Sequence, residues 1–235
     1  MKRVDKEIEN WIKPFATVIG GKIDVEENLR EINPSKYFLR LTQPNNFESY
    51  AIALHSYWIY EKLHSSKILE KIKNFGYDLP EEDFEKLTWK KFYELKETEF
   101  DLNKAIYNSV NNKEPFIQMS NELYPGEGMM DIKHIENFVE IVNELYGNQE
   151  IELFFIFLTS DDLDKDSLYS GCIQDLLDFI EKNDSEYTPS LIYPKEKNWV
   201  VNTDYDLSFS TIAGESKLIK RLVNENKDEI IKIEY

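Results

Sequence analysis

Trp199-Val200-Val201-Asn202-Thr203-Asp204 and Leu207-Ser208-Phe209-Ser210-Thr211-Ile212 are two runs rich in β-branched and aromatic residues, with only Tyr205-Asp206 between them. Runs of this kind joined by so short a link pair antiparallel, because a parallel pair needs a crossover of a dozen residues or more. Gly214 then turns the chain. Leu218, Ile219, Leu222 and Val223 share one face of a helix that starts near Ser216, a good N-cap, and Ile230-Ile231-Lys232-Ile233-Glu234-Tyr235 reads as a last strand.

The same reading extends upstream. Ile151 to Leu158 is apolar except at Glu152, the signature of a buried strand. Before it, Ile132, Ile135, Phe138, Val139, Val142 and Leu145 make the clearest helical stripe in the chain, with Asp131 as cap and Gly147 as stop. Ile173, Leu176, Leu177 and Ile180 repeat helical spacing. Residues 37–41 (Tyr-Phe-Leu-Arg-Leu) and 50–55 (Tyr-Ala-Ile-Ala-Leu-His) are expected to be a second strand pair, turned at Gln43-Pro44-Asn45-Asn46-Phe47-Glu48. Ile8, Trp11, Ile12 and Phe15 predict a first helix, ended by Pro14 and closed at Gly20-Gly21. Short helices are expected around Ile68, Ile72 and Phe75, and over residues 88–95, and Pro125-Gly126-Glu127-Gly128 reads as a loop. Helices and strands alternate too irregularly for a doubly wound sheet. The hairpins point to an α+β fold with a mixed, largely antiparallel sheet and flanking helices. No linker and no internal repeat divides the 235 residues, so one domain is expected, with 113–130 as the place for any subdomain boundary.

Charge narrows the partners. Lysine and arginine total 28 against 45 aspartates and glutamates, a formal net charge of −17. Such a chain repels nucleic-acid phosphates and anionic membranes, and no run of the sequence makes a basic patch. It suits a basic protein partner. Glu136, Glu140 and Glu144 stand at i, i+4 and i+8 on the polar face of the strong helix with no lysine between them, which marks them as candidate contacts for such a partner. The apolar fraction of 41% suffices for a core. The N-terminus has no apolar signal region, the longest apolar run falls far short of a membrane span, and one cysteine (Cys172) forms no internal disulfide, so a cytoplasmic location is expected.

Most catalytic patterns fail on inspection. Asp162, Asp164 and Asp166 hold positions 1, 3 and 5 of an apparent calcium loop, but Ser167 and Ile173 stand where the turn glycine and the bidentate glutamate belong. His55, His64 and His134 with Cys172 lack zinc-ligand spacing, and His134 is expected to be a partly exposed polar residue. Cys172 precedes an apolar helical pattern and reads as a buried, inert thiol. No Gly-x-Ser-x-Gly and no phosphate-cradling glycine loop occurs among eight glycines. No cofactor and no metal is therefore expected. His55, at the end of an apolar strand, and Asp204 with Asp206, spaced to share a strand face, are the candidate catalytic groups.

The C-terminal region also carries a resemblance. Pro189-Ser190-Leu191-Ile192-Tyr193-Pro194, the 199–206 run and Ser210-Thr211-Ile212-Ala213-Gly214 resemble the Ser-Pro-x-x-Trp-Trp-Pro, Trp-x-Val-x-Thr-Glu-x-Asp and Ser-Thr-x-x-Gly-Gly elements of a family of uncharacterised bacterial proteins. Residues 50–55, Trp89 and 125–128 are similar to earlier elements of that family in the same order. The chain departs from the pattern at Ser56, where the family has Pro, and at Leu158-Thr159-Ser160-Asp161, where it has Trp-x-Gly-x-Gly. The resemblance implies a shared fold and supplies no reaction. Two functions follow as expectations: a non-enzymatic, immunity-like binding protein for a basic partner, or an enzyme with a polar cleft around His55, Asp204 and Asp206.

Overall fold

The computed structural model describes residues 1–18, 23–59, 85–113, 122–123 (backbone alone), 125–160, 165–182 and 187–235. In chain order its elements begin with β1 (Lys2–Arg3), a 3-10 turn (Lys13–Phe15), α1 (Leu29–Ile32), α2 (Pro34–Thr42), β2 (Ser49–Leu54) and β3 (Tyr57–Ile59). Next come β4 (Glu85–Leu87), α3 (Trp89–Leu95), α4 (Leu102–Val110), β5 (Glu122–Leu123), α5 (Ile132–Tyr146) and β6 (Glu150–Phe155). The rest are β7 (Ser167–Cys172), α6 (Leu176–Lys182), β8 (Leu191–Pro194), β9 (Trp199–Asn202), β10 (Phe209–Gly214), α7 (Ser216–Glu225) and β11 (Ile230–Ile233).

Eight strands form one sheet in the order β1-β7-β6-β8-β9-β10-β2-β11, and every neighbouring pair is antiparallel. β4-β3-β5 make a second, three-stranded sheet. The fold is thus α+β with a largely antiparallel sheet. The 199–214 hairpin lies at its centre: β9 pairs with β10 in the register Ile212↔Val201.

The large sheet is covered on both faces, and the period of two along a strand sorts its side chains between them. Ala51, Ala53, Leu153, Val201 and Ile212 pack under α5 and α7 through Ile135, Phe138, Leu218 and Leu222. Their neighbours Ile52, Leu54 and Phe209 face the other way, onto Phe38, Leu41 and Phe92. Phe154, Leu191 and Val200 meet Ile8 and Ile12 on that same second face. Trp199 is fully buried, and its indole N–H donates to Gln149 Oε1 at 2.8 Å, which satisfies the one polar atom that burial would leave unpaired.

Several local expectations need correction. Residues 37–41 belong to helix α2 and not to a strand. Pro34 sits at its first turn, the Asn33 side chain accepts from Lys36 N, and Phe38, Leu39 and Leu41 are buried on one side. Pro and an Asn cap are helix-start signals, and they outweigh the strand-forming Tyr and Phe. β2 therefore has no hairpin partner before it and pairs with β10 and β11. The first segment forms only a 3-10 turn, though Ile8 and Ile12 are buried as their spacing implied. β7 and α4 carry weak sequence patterns and are found only in the structure. The helix expected around Ile68, Ile72 and Phe75 lies outside the described residues, as do His64, Asp162, Asp164 and residues 114–121 of the suspected boundary. Among the described residues no helix is long and apolar enough to cross a membrane.

Candidate functional site

β2 delivers His55 to the end of the large sheet, where the residue is only 1% exposed. Its Nδ1 lies 2.6 Å from the Gly126 carbonyl oxygen and its Nε2 2.9 Å from Ser210 Oγ. A carbonyl only accepts, so Nδ1 carries the proton and Nε2 accepts from Ser210. Ser210 Oγ in turn lies 2.8 Å from Thr203 Oγ1, which gives an ordered chain from Thr203 through Ser210 and His55 to Gly126. Burial drives the His55 pKa down to about 4, with the His134 charge acting the same way. The Gly126 bond and the Asp131 charge oppose it. His55 is a neutral imidazole with both nitrogens engaged. Its backbone is held too, since Trp89 Nε1 donates to the His55 carbonyl at 2.6 Å.

Asp131 stands at the N-cap of α5, as the sequence implied, but its carboxylate does not cap the helix. It accepts instead from Ser56 N at 2.9 Å and Ser56 Oγ at 3.0 Å, and so ties the β2–β3 junction to α5. Lys86 of β4 reaches both Asp131 (3.7 Å) and Glu229 (3.3 Å). His134 is fully buried rather than partly exposed. Its two nitrogens each lie 3.6 Å from a carboxylate oxygen, one on Asp131 and one on Glu229, beyond hydrogen-bond length. Contact with His134, and then the Lys86 charge, hold the Glu229 carboxyl down at about 2 against the effect of burial.

Asp204 is also buried, and its oxygens are spent on the fold. Oδ2 accepts from Val18 N at 2.7 Å and Oδ1 from Asp206 N at 3.0 Å, while Leu207 N donates to the Asp204 carbonyl at 3.1 Å. This is the turn chemistry expected of an Asp two residues before an amide it bonds. Burial raises its pKa, and those hydrogen bonds work in the opposite direction.

The 125–128 loop seats itself on this turn. Gly128 N donates to Leu207 O and Gly128 O accepts from Thr188 N, both at 3.0 Å. Gly128 has φ +68°, and a Cβ there would stand 2.9 Å from Tyr205 Cα, so both its backbone and its surroundings require glycine. The result brings Glu127 beside Asp206. Partial desolvation and the Asp206 charge push Glu127 above the ordinary carboxylate range, and desolvation does the same to Asp206. Neither has an ion-pair partner among the described residues. Glu127 carried no signal in the sequence, because nothing local distinguishes it from the other glutamates.

On the other side of the loop, Gly126 and His55 line a cleft of about 450 Å³. Asp204 and Asp206 are not among its lining residues. Its mouth is apolar: Trp58 is 37% exposed, Met129 46% and Ile132 44%. Solvent-facing side chains of that size clustered together mark a contact surface more often than scattered ones do.

The acidic face of α5 is partly neutralised. Glu136, Glu140 and Glu144 are all exposed, but Glu144 pairs with Arg221 of α7, which also holds Glu225 at 3.0 Å. Asp166 accepts from Phe157 N at 2.9 Å, a loop-closing bond. Cys172 is half-buried at the end of β7. Among the described residues no three His, Cys, Asp or Glu side chains are grouped to hold a metal ion. Comparison of the chain with protein families, with curated proteins and with solved structures found no match.

Proposed function

We propose that this chain is a non-enzymatic binding protein for a basic protein partner, in the manner of an immunity protein that masks a cationic toxin. One observation carries the reading: the 125–128 loop, bonded through Gly128 to Leu207, sets Glu127 near Asp206, and neither carboxylate has a cation among the described residues. Such a pair costs the free protein stability, and a lysine or arginine from a partner relieves that cost. The net charge of −17 adds long-range attraction, which speeds encounter and weakens with salt. The enzymatic alternative draws less support, since His55 and Asp204 have their polar atoms committed to internal hydrogen bonds.

The test uses the basic proteins encoded beside this gene, each co-expressed with the full chain. One of them is expected to co-purify at low salt and dissociate in high salt, and Glu127→Gln with Asp206→Asn is expected to weaken the complex at least about tenfold. If no basic neighbour binds, or if the double variant binds one unchanged, the proposal is wrong.

A further inference from the structure

The 125–128 loop has two sides, an apolar cleft at Gly126 and an exposed carboxylate at Glu127. We infer that the partner inserts a bulky apolar side chain into the cleft beside Gly126 and sets a flanking cation against Glu127 and Asp206. This rests on the binding reading above and adds the identity of the docking surface and the chemistry of the segment that fills it.

The cleft selects an apolar occupant because, apart from the exposed Lys133, the polar side chains that line it are engaged within the fold. His55 is bonded on both nitrogens, and Ser56 bonds Asp131. Lys86 is shared between Asp131 and Glu229, and Thr188 Oγ1 accepts from Met130 N at 2.9 Å. An occupant therefore meets mainly Trp58, Met129 and Ile132, side chains that gain from being covered. The volume of about 450 Å³ is at the small end of ligand-sized pockets and accepts one large side chain with its flanking backbone.

Charge sets the orientation. Lys133, on the α5 wall of the cleft, repels a cation, whereas Glu127 directly follows the cleft residue Gly126, and Gly128, bonded to Leu207, holds this loop against the turn that carries Asp206. A segment with arginine or lysine next to its apolar anchor satisfies both sides when the cation lies over the loop. A uniformly basic segment satisfies only one.

Three capped pentapeptides separate the contributions: Gly-Arg-Phe-Arg-Gly, Gly-Arg-Gly-Arg-Gly and Gly-Gln-Phe-Gln-Gly. Each is titrated at low salt into the ¹⁵N-labelled full chain, reading the Trp58 indole and the Gly126 and Glu127 amides. The Arg-Phe-Arg peptide is expected to bind at least about tenfold more tightly than either control and to shift all three signals. Ile132→Ser and Trp58→Ala should each remove the advantage given by Phe, and Glu127→Gln with Asp206→Asn the advantage given by Arg. Unchanged thermal transitions show that these variants fold. If the Arg-Gly-Arg peptide binds as well, or Trp58 never shifts, the anchor is wrong while the charge reading stands. If the Gln-Phe-Gln peptide binds as well as the first, the charge reading itself fails.

Discussion

Gly126 and Glu127 are chain neighbours in opposite surroundings. On the Gly126 side, the carbonyl takes the His55 proton, His55 takes the Ser210 proton, and Thr203 closes the row. On the Glu127 side, partial desolvation and the nearby Asp206 charge hold Glu127 above its ordinary range, and desolvation does the same to Asp206. Buried polar groups that are fully paired make a fold unique and rigid, while an unrelieved like-charge pair works against it. One loop thus sets a fully hydrogen-bonded residue next to a carboxylate whose charge no cation matches among the described residues.

The largest effect is expected at His55. Replacing it with Ala leaves the Gly126 carbonyl unpaired and Ser210 with Thr203 alone beside a void, at a cost of about 3 kcal/mol or more in urea unfolding. The native residue also predicts a pH slope. Its folded pKa of about 4 lies below the ordinary 6.5, so the unfolded chain binds the extra proton first. Its contribution is complete above pH 6.5 and is lost as pH falls from 6.5 towards 4. His55→Ala should lack that slope, and a variant that retained it would place the titration elsewhere.

Asp204→Ala ranks next. It frees the half-buried amides of Val18 and Asp206 and should cost about 2 kcal/mol. Hydrogen exchange at those two amides should accelerate, and unchanged protection would show that the turn holds without its carboxylate.

Glu229 gives a smaller effect, confined to acid. Its folded pKa of about 2 lies below the ordinary 4.5, so its contribution is present above pH 4.5 and disappears as pH falls towards 2. Glu229→Gln should flatten the acid limb of the stability curve over that window. Its carboxylate is partly open to solvent, which trims the size of the change.

The smallest effect has the opposite sign. Glu127 and Asp206 have raised pKa values, so their ionised forms oppose folding at neutral pH and cease to do so once acid protonates them. Glu127→Gln or Asp206→Asn should each raise stability at pH 7 by up to about 0.5 kcal/mol, a gain that shrinks on acidification. Residues that stabilise the fold when neutralised, yet weaken binding, are the trade-off expected of an interaction site. A loss of stability in both single variants would remove the contrast between the two sides of the loop.

The legibility of these features follows from how local their causes are. The β9–β10 hairpin, α5 and α7 were readable because period and cap residues act over a few positions. Residues 37–41 misled because Tyr and Phe suit a strand, and the helix depends on Asn33 and Pro34 just before them. β7 was hidden because its Ser-Leu-Tyr-Ser-Gly-Cys run is half-exposed towards its end and owes its pairing to β6. His55 stands out in the sequence only as a polar end to an apolar strand, whereas its neutrality comes from burial, and its two hydrogen-bond partners, Gly126 and Ser210, lie far away in the chain.

What the sequence by itself determined was the α+β class, the central hairpin, the strong amphipathic helix and the acidic excess. These depend on composition, local periodicity and turn residues. Only the tertiary structure decided that Glu127 lies near Asp206 and that Asp204 is spent on a turn. A carboxylate becomes uncompensated or satisfied according to which distant groups the packed chain sets beside it. Here the positive φ of Gly128 and its bond to Leu207 bring the loop down onto the hairpin turn and put the two charges together.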